Sequence, residues 1–166
     1  MPESSALRTR LLLAVAAAAV LLAACSRNQP DEAQIRSLIS DAVRAAEEKQ
    51  VDRVVRGVSE TFRSGDVDRR GVKQLVAYHV LRGSWVALTV SGDHVVVDGD
   101  SASAVVDLVM VRGGAGRTLP ELLPEQASVY RFTLKLARES EGWKVTTAAW
   151  RPISLDKAAA GPRPPE

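Results

Sequence analysis

The run Tyr130-Arg131-Phe132-Thr133-Leu134-Lys135-Leu136 and the segment Glu141-Gly142-Trp143-Lys144-Val145 that follows it decide how this chain folds. In the first, Tyr130, Phe132, Leu134 and Leu136 alternate with Arg131, Thr133 and Lys135, the pattern of a strand with one buried and one wet face. Glu141-Gly142 then turns the chain, and Trp143 to Arg151 reads as the antiparallel return. Upstream, Asp98-Gly99 is a hairpin signal, because both residue types tolerate the positive φ that such turns need. It separates Trp85–Ser91 and His94–Val97, one bent strand or two, from a returning strand over Ser101–Arg112. Gly113 to Ala127 reads as a long loop.

Ahead of this meander the apolar period is that of a helix. Asp31 reads as an N-cap with Gln34 three residues on, and Ile35, Leu38, Ile39, Ala42, Val43 and Ala46 form one stripe behind it. A second helix is predicted over Val51–Phe62, with Val51, Val54, Val55, Val58 and Phe62 on a face and Ser64-Gly65 as its stop. Asp68 can cap a third, in which Val72, Leu75, Val76 and His79 share a face before Gly83. Helices first and an antiparallel meander after them define an α+β domain, residues 31–155. The tail, 156–166, is rich in Ala, Pro and Gly and is expected to be disordered.

This order of parts, with Gly142-Trp143-Lys144-Val145 before Trp150, resembles the nuclear transport factor 2-like superfamily from Asp31 to Ile153. The resemblance implies a cystatin-like cone, three N-terminal helices packed in a strongly curved antiparallel sheet. It also implies a family that ranges from isomerases and dehydratases to pure binding modules, many of them dimeric through the outer sheet face. Such a fold does not by itself select a function.

The N-terminus reads as an address. Arg8 and Arg10 precede the uncharged stretch Leu11–Ala24, as in a secretory signal, and the stretch is shorter than the ~20 apolar residues that span a bilayer. Leu22-Ala23-Ala24-Cys25 resembles the box that ends bacterial lipoprotein signal peptides. That resemblance implies a signal peptide over 1–24, cleavage before Cys25, diacylglycerol on its thiol and a further acyl chain such as palmitate on the new amino terminus. One chain binds a membrane marginally at ~0.8 kcal/mol per buried CH₂, and two or three hold it durably. Residues 25–30 are then the lipidated cysteine and a short tether. Ser26, where an Asp would retain the protein at the inner membrane, implies the outer membrane, facing the periplasm of the cell envelope.

Composition narrows the partners. Cys25 is the only cysteine, so no internal disulfide forms. Removal of residues 1–24 takes Arg8, Arg10 and Glu3 from 22 basic and 20 acidic residues and leaves a formal charge of +1. That balance gives no case for nucleic acid, which calls for a basic patch or stripe. The two histidines, His79 and His94, fall short of a four-ligand zinc site. Asp66-Val67-Asp68-Arg69-Arg70 opens like a calcium loop, but it has Arg70 fifth and Ala77 twelfth, where oxygen ligands are needed. Gly113-Gly114-Ala115-Gly116 lacks the Lys-Ser/Thr of a phosphate loop. No cofactor or metal is therefore expected.

The catalytic candidates are Asp107, Tyr78 and His79. A carboxylate within Val105-Val106-Asp107-Leu108-Val109 would have a raised pKa in an apolar cavity. The resembled superfamily includes enzymes that use an aspartate and a tyrosine for proton transfer. Alternation argues the other way: Ala104, Val106, Leu108 and Met110 are the interior set, which gives Asp107 the opposite face and Arg131 or Lys135 as a cross-strand cation. The sequence thus favours a non-enzymatic, membrane-anchored module binding a small apolar ligand or a protein, with an isomerase or dehydratase as its rival. Val105, Val109, Val111 and Trp150 are expected to form an outer sheet patch suited to a homodimer. Wild-type protein is expected to take up labelled fatty acid, and Cys25→Ser to stay unlabelled and leave the membrane fraction; an unlabelled, soluble wild type contradicts this reading.

Overall fold

In the computed structural model, residues 29–82, 85–112 and 127–163 are described. The stretch 1–24 expected to be a signal peptide, Cys25, the expected tether up to residue 28 and the expected loop within 113–126 lie outside them. Helix α1 spans Asp31–Glu47 and α2 Val51–Arg56, followed by the short strands β1 (Arg63–Ser64) and β2 (Val67–Asp68). Helix α3 spans Arg69–Arg82. Four long strands come next: β3 (Trp85–Asp98), β4 (Ser101–Arg112), β5 (Ala127–Glu139) and β6 (Gly142–Ile153), and α4 (Leu155–Ala159) closes the described chain. The long strands pair in sequence order, all antiparallel. This is the mixed α+β arrangement that the sequence predicts.

The helix starts and stops follow from local chemistry, with corrections. Pro30, rather than Asp31, occupies the cap position of α1: its carbonyl accepts from the N–H of Ala33 at 2.9 Å and of Gln34 at 3.1 Å. The Asp31 carboxylate instead reaches the sheet, taking Arg138 Nη2 at 2.5 Å and Trp143 Nε1 at 3.4 Å. Helix α1 ends where Lys49 adopts φ +57° and the Gln50 N–H reaches back to the Ala45 carbonyl at 2.8 Å, a left-handed stop. Asp68 does cap α3, its Oδ1 accepting from the Gly71 N–H at 2.8 Å.

The second helix is the clearest departure. It stops at Arg56, six residues earlier than its apolar spacing predicts. The backbone beyond it turns to the sheet: the Gly57 carbonyl accepts from the Val145 N–H at 2.8 Å, and the Ser59 N–H donates to the Val145 carbonyl at 2.9 Å. Gly57 makes this close approach feasible, since a Cβ there would lie 2.8 Å from Leu38 Cδ1. Phe62 is buried as its spacing predicts, but from the end of a turn in which its N–H donates to the Ser59 carbonyl at 3.2 Å.

One-residue insertions decide which side chains face the helices. Val90 pairs with Leu108 and Gly92 with Asp107, so Ser91 is extra on β3. Lys135 pairs with Thr147 and Leu136 with Val145, so Thr146 is extra on β6. Such bulges bend and twist a strand, and each also reverses the alternation beyond it. The core then assembles Ile35 of α1 with Val95, Ala102, Ala104, Val106, Leu136 and Trp143, and Leu38, Val90, Phe132 and Leu134 pack around them. Helix α1 lies across β3 and β6 on this inner face.

The tail corrects an expectation. Residues 155–159 form a helix, and the chain continues across the outer face, where Pro162 comes so close to Gly92 that a Cβ there would sit 2.8 Å from Pro162 Cδ. Composition predicts disorder, but Ala158 is buried and the segment covers part of the outer face.

Trp143→Ala is expected to lower stability by ~3–5 kcal/mol, the usual cost of truncating a buried Trp, in a domain held by about 5–15 kcal/mol; an unchanged melting temperature contradicts the packing. Asp31 supplies a pH test. The Arg138 hydrogen bond lowers the Asp31 pKa against the opposing effect of burial, helped by the Trp143 N–H. A depressed folded pKa stabilises fully above the unfolded value of about 3.9 and ceases to do so as pH falls through the folded one. The melting temperatures of wild type and Asp31→Asn should therefore draw together only as the pH falls below about 4; a constant gap through acid denaturation would contradict the link.

Candidate functional site

The sheet's two faces differ in chemistry. On the outer face, Asp107 of β4 sits opposite Gly92 of β3 and Arg131 of β5. Its carboxylate is wholly buried, with Oδ1 accepting from Arg131 Nε and Oδ2 from Arg131 Nη2, both at 2.7 Å. Such a bidentate pair is the strong form of the interaction. Arg131 Nη2 also makes longer contacts to the carbonyls of Lys157 at 3.4 Å and Gly161 at 3.3 Å. Those oxygens lie at the C-terminal end of α4, where a cation is favoured. The hydrogen bonds that Arg131 donates to Asp107 raise its pKa above the ordinary value. The pair therefore fastens the C-terminal segment to the sheet.

This geometry leaves little for catalysis at Asp107. Both of its oxygens are engaged, and it is on the face away from α1. Tyr78 and His79 are on α3, which packs against α2 and the β1–β2 hairpin. Tyr78 is 56% exposed, meets the His79 ring edge-on at 5.3 Å and has the Arg82 guanidinium 5.2 Å from its centroid. The three candidates are thus not gathered around one space. His94 lies on the outer face opposite Val105, apart from His79. Among the described residues no group of three His, Cys, Asp or Glu is placed to hold a metal ion.

The inner face beyond the core is apolar and half open. Leu108 pairs with Tyr130, Met110 with Ser128, and Phe132 with Trp150, all on the side of Ala104 and Val106. Leu108, Met110, Tyr130 and Phe132 are partly buried, whereas Trp150 is 47% exposed. The Phe132 and Trp150 rings stack at 6.5 Å between centroids and 30° between planes. The sequence expectation for Trp150 is corrected here. Simple alternation from Trp143 places it on the outer face with Val105, Val109 and Val111, but the extra Thr146 returns it to the inner one. The four-residue outer patch is therefore not assembled, and Val105 is buried besides.

This fold, four antiparallel strands bent around an N-terminal helix, is that of nuclear transport factor 2-like proteins with a cystatin-like fold. An NTF2-like protein with a cystatin-like fold from Novosphingobium aromaticivorans is 18% identical, with a TM-score of 0.58 over 96% of this chain and 97% of its own. An NTF2-like protein of unknown function from Pseudomonas putida KT2440 is 15% identical, with a TM-score of 0.60 over 76% of this chain and 90% of its own. Bd1075 of Bdellovibrio bacteriovorus is 10% identical at a TM-score of 0.56; 72% of this chain matches 41% of that one. At these identities the likeness is one of fold. No protein-family model and no curated protein matches the sequence.

Arg131→Met is expected to destabilise the domain by ~3–5 kcal/mol, because it strands a buried carboxylate. Adding Asp107→Leu should recover much of that loss; a double variant no better than the single one contradicts the pairing. Ending the chain at Ser154 should lower the melting temperature and raise exchange of the Asp107 and Arg131 amides, and an unaffected protein would show that α4 holds nothing.

Proposed function

We propose that this chain is a lipoprotein of the bacterial cell envelope, anchored through Cys25 in the outer membrane, whose domain is a non-enzymatic module binding a small apolar ligand. One observation carries the binding half of the reading: Phe132 and the 47% exposed Trp150 stack on the inner face, beside Leu108, Met110 and Tyr130. A large aromatic ring left half in water beside further apolar side chains gains by being covered. Ligand sites are commonly of this kind, apolar and aromatic with a few polar groups for orientation. The Tyr130 hydroxyl is such a group.

The anchoring half is supported by the Leu22-Ala23-Ala24-Cys25 box behind Arg8 and Arg10. No helix among the described residues is long and apolar enough to cross a membrane. Against the isomerase or dehydratase reading stands the engagement of Asp107 by Arg131, since a general base must have a lone pair within reach of the substrate proton.

Titration of the chain begun at Asn28 with N-phenyl-1-naphthylamine tests the binding site. Saturable probe fluorescence is expected in wild type, weakened about tenfold or more by Trp150→Ala, a loss of ~1.4 kcal/mol or more, and unaffected by Tyr78→Ala. Binding that survives Trp150→Ala intact, or none at all, counts against the proposal.

A further inference from the structure

Three contacts fix the direction of α1 on the sheet. Asp31, its first residue, is held by Arg138 and by Trp143 Nε1, and the Arg138 guanidinium lies 4.7 Å from the Trp143 ring centroid. Five residues on, Arg36 Nε donates to Asp93 Oδ2 at 2.7 Å. Glu47, its last residue, accepts from the Leu88 N–H at 2.9 Å. Arg138 and Trp143 flank the β5–β6 turn, and Arg138 Nε also reaches Asp100 in the β3–β4 turn at 3.2 Å. Leu88 lies toward the other end of β3, paired with Met110. The chain thus enters the domain at the end of the sheet where both tight turns lie, and Asp31 is clamped there.

Phe132 and Trp150 are far from that end. Glu139 and Gly142 pair at the turn, and Phe132 is seven residues further along β5, about 24 Å at ~3.4 Å per residue. The turn end itself is polar: Asp98, Gly99, Asp100, Ser140 and Glu141 are all exposed. It offers no side chain suited to insertion among acyl chains. Residues 26–30 reach at most ~18 Å when extended, so a lipid on Cys25 keeps this end near the headgroups.

We infer that the anchor holds the two-turn end of the sheet toward the membrane and points the Phe132–Trp150 half away from it, so that the site receives its apolar ligand from the aqueous phase and not from the bilayer that carries the protein. The inference rests on the anchoring and binding proposed above. It adds a direction: the clamp at Asp31 leaves no slack within the domain, and the strands act as a spacer.

Energy transfer from a dye on the domain to rhodamine headgroups tests the orientation, with the lipidated full chain in phosphatidylethanolamine–phosphatidylglycerol vesicles. Glu141→Cys and Thr89→Cys both place the dye at exposed sites, the first at the turns and the second toward the opposite end, and acylation of Cys25 leaves the new thiol as the only free one. Transfer severalfold more efficient from residue 141 than from residue 89 is expected. Equal or reversed efficiencies from membrane-bound protein overturn the orientation while leaving the anchor intact. Wild type that stays in the supernatant like Cys25→Ser removes the anchor, and the inference with it. A second arm compares sources. N-phenyl-1-naphthylamine added to the water should bind, whereas a pyrene-labelled phosphatidylcholine confined to the vesicles should leave them no faster with protein than without. Protein-accelerated departure of the labelled lipid overturns the direction of supply, and failure of the aqueous probe to bind overturns the site itself.

Discussion

The extra residue Thr146 in β6 is the constraint on which the inner face depends. Strand side chains alternate, so one inserted residue exchanges the faces of everything beyond it. Before the insertion, Trp143 and Val145 pack on Ile35 and Leu136; after it, Ala148 and Trp150 continue on that same side against Leu134 and Phe132. The insertion coincides with the point where the chain after α2 reaches the sheet, since Val145 is the residue that bonds to Gly57 and Ser59. The parallel bridge from Val58 to Val145 holds the sheet edge there. Ser91 does the corresponding work in β3, which lets Leu88 and Val90 join the face of Val95 and sets Gly92 opposite Asp107.

The outer face solves a different problem. Burying a carboxylate and a guanidinium costs several kcal/mol for each ion, and their attraction offsets this only with excellent geometry. The two 2.7 Å hydrogen bonds between Arg131 and Asp107 provide that geometry, and the carbonyls of Lys157 and Gly161 take part of what the guanidinium still offers. Deleting one partner is costly in a way that deleting both is not, which suits a device that selects one docking of the C-terminal segment. The absence of a side chain at Gly92 gives Pro162 its place beside the pair.

How much of this was legible varied with the range of the forces involved. The β4 strand, the β5 alternation, the Asp68 cap and the α1 stripe are local signals, and the structure carries each of them. The length of α2 is not legible, because Val58 and Phe62 satisfy helical spacing while the backbone of Gly57 and Ser59 is recruited by Val145, a residue far along the chain. The order in α4 was hidden for the same reason, since an Ala-Pro-Gly-rich tail has no periodicity of its own and is held by Arg131. Alternation alone puts Trp150 on the wrong face because no residue type announces a bulge, and Thr146 looks like any other strand threonine. The pairing of Asp107 with Arg131 was within reach of alternation alone; its burial was not, because the covering segment was unforeseen.

Ligand binding on the inner face of the sheet is the central proposal. Methyl and indole resonances followed during titration with N-phenyl-1-naphthylamine measure this directly. The account requires that Met110, Leu108 and the Trp150 indole N–H shift together and saturably, while the methyls of Val105, Val129 and Ala158 on the outer face stay in place. Shifts centred on Val105, Val129 and Ala158, with Trp150 unmoved, would contradict it.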